Sequence, residues 1–132
     1  MSKKSKRVAI CLITDHKDNI LMGRRNDNQK ITVPAGHIMT QEDPHTGAMR
    51  ELKEETGLDT QDIQLIGSHW DKEKNLILYL FKVTVNPEQQ IDVSGDPDKE
   101  CDNWNYMDPN DVVEELHVPL QNNIALQYWM KN

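Results

Sequence analysis

The chain has 132 residues, enough for one domain with a real core and too few for two. Its 36% hydrophobic and 28% charged content, with a formal net charge of −7, predicts a soluble domain with a polar surface and argues against nonspecific nucleic-acid binding. No apolar run approaches the roughly 20 residues needed to span a bilayer. Cys11 and Cys101 offer neither a metal-binding spacing nor a disulfide framework, which fits a reducing cytoplasm.

In chain order, residues 1–7 carry Lys3, Lys4, Lys6 and Arg7 and read as a basic, flexible tail to a single domain spanning 1–132. The apolar run behind them is too short for a signal peptide. Val8 to Ile13 is rich in β-branched residues, as a buried strand requires, and Cys11 within it is expected to be a buried thiol. After the polar turn Asp15 to Asn19, Ile20 to Arg25 reads as its hairpin partner. Ile31 to Val33 is a third strand, which Pro34 should end before a loop to about Pro44.

His45 to Thr56 predicts a helix with Gly57 as its C-cap. Ala48, Met49, Leu52 and Thr56 share an apolar arc, and Glu51, Glu54 and Glu55 share the next one. Arg50 stands four residues before Glu54, within pairing range. Ile63 to Trp70 and Asn75 to Val85 look like two further strands, joined by the charged turn Asp71 to Lys74. Pro87 to Lys99 reads as a loop, Trp104 to Tyr106 as a short last strand, and Asp108 to Asp111 as a helix start. A final helix is expected from about Leu120 to Met130. Strands before, between and after two or three helices indicate an α+β or layered mixed fold.

The chemistry concentrates between Gly36 and Leu58. Carboxylates crowded on one helix face repel each other and invite a cation. Hard oxygen donors suit Mg²⁺, Mn²⁺ or Ca²⁺, whereas zinc would ask for His or Cys. A solvated acidic face with i, i+4 salt bridges is the bland alternative, and the spacing decides against it. Gly36, five residues, Glu42, seven residues, Arg50-Glu51, Leu52, a free position, Glu54-Glu55, a free position, Gly57 and Leu58 fill every specified place of the Nudix box. In those residues the chain resembles the Nudix hydrolase family. Pro34 before the box, and Glu100 with Trp104 after it, agree with that resemblance.

The resemblance implies an α/β/α sandwich around a mixed sheet, with the box as a loop–helix–loop. It implies hydrolysis of a phosphoanhydride in a nucleoside diphosphate derivative, assisted by Mg²⁺ with Mn²⁺ as substitute. By position, Glu51, Glu54 and Glu55 would be metal ligands, and Arg50 would orient a neighbouring glutamate. Glu42 would assist through water or by anchoring the loop. Ala35 stands where relatives place a glycine whose carbonyl binds metal, and its backbone can supply the same contact. The general base is open between Glu54, Glu55 and a later carboxylate, Glu100 first and Asp98 second.

Arg24 and Arg25 are candidates for phosphate contacts, with a plain surface role at least as ordinary for one of them. His37 is a candidate for substrate contact. Trp70, Tyr79 and Trp104 are candidates either for stacking on a base or for the core. The chain lacks the downstream signatures of the NADH, ADP-ribose and dinucleoside polyphosphate subgroups and is most similar to MutT-like nucleoside triphosphate hydrolases. The expected partner is a small nucleotide, with no membrane, and no nucleic acid except a capped 5′ end. Nothing sets the oligomeric state, and a homodimer is one option. A non-catalytic nucleotide-binding module and a nucleotide sugar, dinucleotide or capped-RNA hydrolase are the competing readings.

Overall fold

The computed structural model describes residues 5–15, 17–86, 88–92 and 101–115. The Leu120 to Met130 helix, Asp98, Glu100 and most of the loop expected from Pro87 to Lys99 lie outside those residues.

The element that organises the fold is its first strand, β1 (Lys6–Ile13), in which every residue from Val8 to Ile13 is buried. A strand buried on both faces must satisfy its backbone on both edges as well. Strand β6 (Leu76–Val83) runs parallel to it, from Lys6 opposite Leu76 to Ile13 opposite Val83. On the other edge β4 (Ala35–His37) pairs antiparallel, with Ile10 opposite Ala35 and Val8 opposite His37. With β5 (Ile63–Asp71) outside β6, the first sheet has the order β4-β1-β6-β5, a mixed sheet.

Three expectations are corrected here. Strand β2 (Ile20–Arg25) is not the hairpin partner of β1, because β4 and β6 already fill both edges. A lone bridge between Thr14 and Ile20 is what joins them. Strand β2 instead builds a second sheet between β3 (Ile31–Thr32) and β7 (Cys101–Met107), in the order β3-β2-β7. The second correction is that the segment after Pro34 forms β4, where a loop was expected. Three residues including a glycine carry too little alternation to show as a strand. Similarly, β1 begins at Lys6, so Lys6 and Arg7 belong to the sheet and not to a tail.

Alternation along β1 divides the core. Ala9, Cys11 and Ile13 pack with Phe81, Val83, Ala48 and Leu52. Val8, Ile10 and Leu12 pack with Ile20, Met22, Ile31 and Leu80. The helix that contributes Ala48 and Leu52 is α1 (Pro44–Thr56). Asp43 caps its start by accepting from Thr46 N–H at 2.9 Å, and Pro44 sits in the first turn, where its missing N–H costs nothing. Gly57 ends it with φ at 75° in the left-handed region, its N–H bonded to the Lys53 carbonyl at 2.9 Å. Leu52 is 1% exposed, so truncating it to alanine should cost on the order of 2–5 kcal/mol. A short α2 (Pro109–Val112) follows β7 and continues into a 3₁₀ turn, Val113–Glu115. The whole is an α+β fold, and no helix among the described residues is long and apolar enough to cross a membrane.

Candidate active site

Helix α1 lies against β1 and β4 and carries Glu51, Glu54 and Glu55 on the arc beside its buried one. Arg50 is the hub of this arc. Its Nε and Nη2 donate to Glu42 Oε2 and Oε1 at 2.7 and 2.9 Å, a fork closed across the loop before the helix. Its Nη1 donates to Glu51 Oε1 at 3.0 Å and to Glu54 Oε2 at 3.2 Å. Nη2 also donates to the His37 carbonyl at 3.0 Å, which ties the helix to the end of β4. One guanidinium thus binds three carboxylates, and the i, i+4 pairing expected with Glu54 is one arm of a larger network.

The electrostatics follow from those contacts. The Arg50 fork holds the Glu42 carboxyl below the ordinary range. Glu51 goes the other way, because burial raises its carboxyl more than Arg50 lowers it. Its side chain is 19% exposed, against 43% for Glu54. Behind the helix, burial raises the Cys11 thiol, and the charges of Glu55 and Glu51 raise it further. That thiol is packed and protonated, as its strand position predicts.

Gly36 explains why the box begins with glycine. A Cβ there would lie 2.2 Å from Glu51 Oε2 and 2.3 Å from its Cδ, so the carboxylate occupies the space a side chain would need. The requirement is for room and not for dihedral freedom, since Gly36, unlike Gly57, does not have a positive φ. Ala35 is not among the residues with positive φ, so the alanine at this place adds no backbone strain.

Three further groups were singled out as candidates. Arg25 is closed onto Asp27 by two bonds of 2.9 and 2.7 Å, and Arg24 onto Glu115 at 3.0 Å and the Gln29 carbonyl at 2.7 Å. Both arginines are therefore held at the end of β2, remote in their contacts from the Arg50 network. His37 is exposed on β4 beside Gly36, and its charge acts on Glu51. Of the aromatics, Trp104 is buried with its ring over Gly23, where a Cβ would come within 2.8 Å. Trp104 Nε1 is buried without a hydrogen-bond partner among the described residues. Tyr79 packs on the first core cluster, while Trp70 is 54% exposed with Lys72 over its ring, so Trp70 is not a core residue.

The residue that sequence reasoning missed is Arg7. Its Nη2 donates to the carbonyls of Met39, Thr40 and Glu42, the last at 2.9 Å. Glu42 Oε1 in turn accepts from Met39 N–H at 2.9 Å. The loop between β4 and α1 is thereby clamped to β1 at one end and to Arg50 at the other. No local signal marks this contact, which joins residues 32 to 35 positions apart.

What the arrangement can do follows from its donors. Glu51, Glu54 and Glu55 lie on one side of α1, and hard oxygen donors of that kind suit a divalent cation of the Mg²⁺ class. Among the described residues no three potential ligands converge on one point, and Arg50 bridges Glu51 and Glu54 with one positive charge.

Known proteins agree with this geometry. The NUDIX domain family model matches residues 4–128. An RNA pyrophosphohydrolase of Legionella pneumophila (strain Corby) is 31% identical over 129 residues, covering 83% of this chain and 72% of that protein. Nudix hydrolase 26, chloroplastic, of Arabidopsis thaliana is 28% identical over 131 residues, and the match spans 83% of this chain and 60% of its length. Among solved structures, a NUDIX hydrolase from Nitrosomonas europaea superposes with a TM-score of 0.74 at 18% identity, covering 97% of this chain and 90% of the other. The chain belongs to the Nudix family and has its fold. Its class is that of the pyrophosphohydrolases, enzymes that act on acid anhydrides.

Proposed function

We propose that this chain hydrolyses a phosphoanhydride bond in a nucleoside triphosphate or another nucleoside diphosphate derivative, with Mg²⁺ as cofactor and Mn²⁺ as substitute, and releases a nucleoside monophosphate. The observation that carries the reading is the Arg50 network, which orders Glu42, Glu51 and Glu54 around one helix face. Glu51, Glu54 and Glu55 would hold the ion, with the Ala35 carbonyl beside them. Bound there, Mg²⁺ supplies positive charge to the phosphate oxygens and lowers the pKa of a water.

The chain's own residues do the rest. Arg50 aims Glu51 and Glu54, and Glu42 and the His37 carbonyl fix Arg50. Gly36 leaves space for the Glu51 carboxylate. The base that takes the proton of the attacking water is Glu54, Glu55 or Glu100. Arg24 and Arg25 are the candidate phosphate contacts of the second sheet, and each would exchange its present carboxylate partner for the substrate. Cationic side chains placed where charge accumulates on transferring phosphoryl groups are what such a reaction needs.

A second reading takes a 5′ RNA end as substrate in place of a free nucleotide. It is supported by the names of the Legionella and Francisella relatives, which are RNA pyrophosphohydrolases. The test for both is a panel of nucleoside triphosphates, diphosphate derivatives and 5′-triphosphorylated oligonucleotides, incubated with Mg²⁺, Mn²⁺ or chelator. Monophosphate and pyrophosphate or phosphate release are scored, with Glu54→Gln as control. Turnover that survives unchanged in the chelator or in Glu54→Gln removes the metal assignment.

A further inference from the structure

Glu42 is gripped at its two ends by two guanidinium groups. Arg50 holds its carboxylate, with Nε donating to Oε2 at 2.7 Å and Nη2 to Oε1 at 2.9 Å. Arg7 holds its backbone, with Nη2 donating to the carbonyl oxygen at 2.9 Å. The same nitrogen donates to the Met39 carbonyl and, at 3.3 Å, to that of Thr40. Within this turn Glu42 N–H donates to the Met39 carbonyl at 3.0 Å, and Met39 N–H to Glu42 Oε1 at 2.9 Å. The turn that Arg7 binds and the carboxylate that Arg50 binds are thus one closed unit.

The register of β1 places Arg7 for this contact. Arg7 shares a face of the strand with Ala9, which pairs with Gly36 and packs in one cluster with Ala48 and Leu52 of α1. It therefore stands on the side of the sheet that the helix covers. Its own carbonyl accepts from Ile38 N–H at 2.9 Å, so one residue holds both the start and the end of the loop before α1. Carbonyl dipoles aimed at one point repel each other, and a cation at that point turns the repulsion into attraction. The contacts then run in order from Arg7 to Glu42, from Glu42 to Arg50, and from Arg50 to Glu51 at 3.0 Å and Glu54 at 3.2 Å.

We propose that Arg7 is a positioning residue for the carboxylate site, acting through Glu42 and Arg50 on the aim of Glu51 and Glu54. Its effect on turnover rests on the phosphoanhydride-hydrolase reading above, whereas the coupling to Arg50 does not. Among the described residues the side-chain bonds of Arg7 all run through Nη2. A lysine ammonium with three N–H groups can replace a single nitrogen, although it cannot replace the fork of Arg50.

The coupling is read first without metal or nucleotide. In ¹⁵N-labelled full-length protein in chelator, the Arg50 Nε–H that donates to Glu42 should exchange with water about 5-fold faster or more in Arg7→Met. Arg7→Lys should recover the wild-type exchange. Unchanged Arg50 exchange in Arg7→Met overturns the proposal. If Arg7→Met does not fold, Arg7→Gln, too short to span the three carbonyls, is read by the same outcomes. On the best nucleotide of the panel, Arg7→Met should lower kcat about 10-fold or more with KM unchanged, and Arg7→Lys should restore most of the loss. Because the route passes through Glu42, adding Arg7→Met to Glu42→Gln should cost less than about 2-fold further. Losses that multiply in the double variant, or a raised KM with kcat unchanged, overturn that route. Faster Arg50 exchange in Arg7→Met, with no turnover of any nucleotide by wild type, removes the hydrolase reading and keeps the coupling.

Discussion

Arg50 and Glu42 meet through two bonds, Nε to Oε2 at 2.7 Å and Nη2 to Oε1 at 2.9 Å, eight residues apart in sequence. A planar fork matched to a carboxylate fixes both position and angle, which a lysine ammonium cannot do. Arg50→Lys should therefore keep its charge near Glu42 but lose the second bond and the contacts to Glu51 and Glu54. The expected outcome is a fall in kcat of roughly 100-fold, typical of a misplacement near 1 Å. Steady-state kinetics with Mg²⁺ beside a thermal melt checks this, and an unchanged kcat would mean that the fork does not aim the carboxylates.

Gly36→Ala tests the room left for Glu51. The new Cβ would meet the Glu51 side chain from Cγ, at 2.6 Å, out to its carboxylate, so the whole side chain must leave its place. We expect a folded protein with a lowered melting temperature, since the Arg50 bond to Glu51 is lost with it, and with weakened Mn²⁺ binding by paramagnetic resonance. Wild-type Mn²⁺ affinity in the variant would separate Glu51 from the metal site.

Arg7→Ala removes the clamp between β1 and the loop. The carbonyls of Met39, Thr40 and Glu42 lose their shared donor, so the amides from Met39 to Glu42 should exchange with solvent faster than in wild type. Hydrogen exchange read by mass spectrometry measures it directly. Protection of the α1 amides should be retained, and loss of protection across the whole sheet would show that Arg7 holds the fold and not the loop.

Asp27 reports on whether Arg25 is available to substrate. The Arg25 hydrogen bonds hold its carboxyl at about 2, below the ordinary value of 3.8. A depressed carboxyl stabilises the folded state above its unfolded value, and that contribution is lost as pH falls from 3.8 through about 2. The Asp27 carboxyl carbon should accordingly titrate near pH 2 in wild type and near its ordinary value in Arg25→Ala. Asp27→Asn removes the ion pair to Arg25, and a lower KM in that variant assigns Arg25 to the phosphates. An unchanged or higher KM leaves it a surface residue.

The box was legible because its constraints are local. A helix places Arg50, Glu51, Glu54 and Glu55 relative to each other by spacing alone, and both the Gly57 cap and the Glu54 pairing stand where the spacing put them. What was not legible depends on contacts between distant segments. The Arg7 clamp has no local trace, and its residue was read as tail. The hairpin between the first two strands failed because a local turn signal says nothing about whether an edge is already taken, and here β4 and β6 take both. Residue type left Trp70 open between base stacking and the core, and only the place of β5 as an edge strand, with most of its length exposed, takes it out of the core.

The parallel pairing of β1 with β6 also sets an order of assembly. Lys6 finds its partner only at Leu76, and Ile13 only at Val83. During synthesis the apolar stretch Val8 to Ile13 emerges early and waits, unpaired on one edge, until more than half of the chain has followed it. Through that interval the nascent protein carries a sticky β segment that a chaperone or a neighbouring chain can capture. The same strand that later backs the carboxylate helix is thus the point of greatest exposure to misassembly at birth.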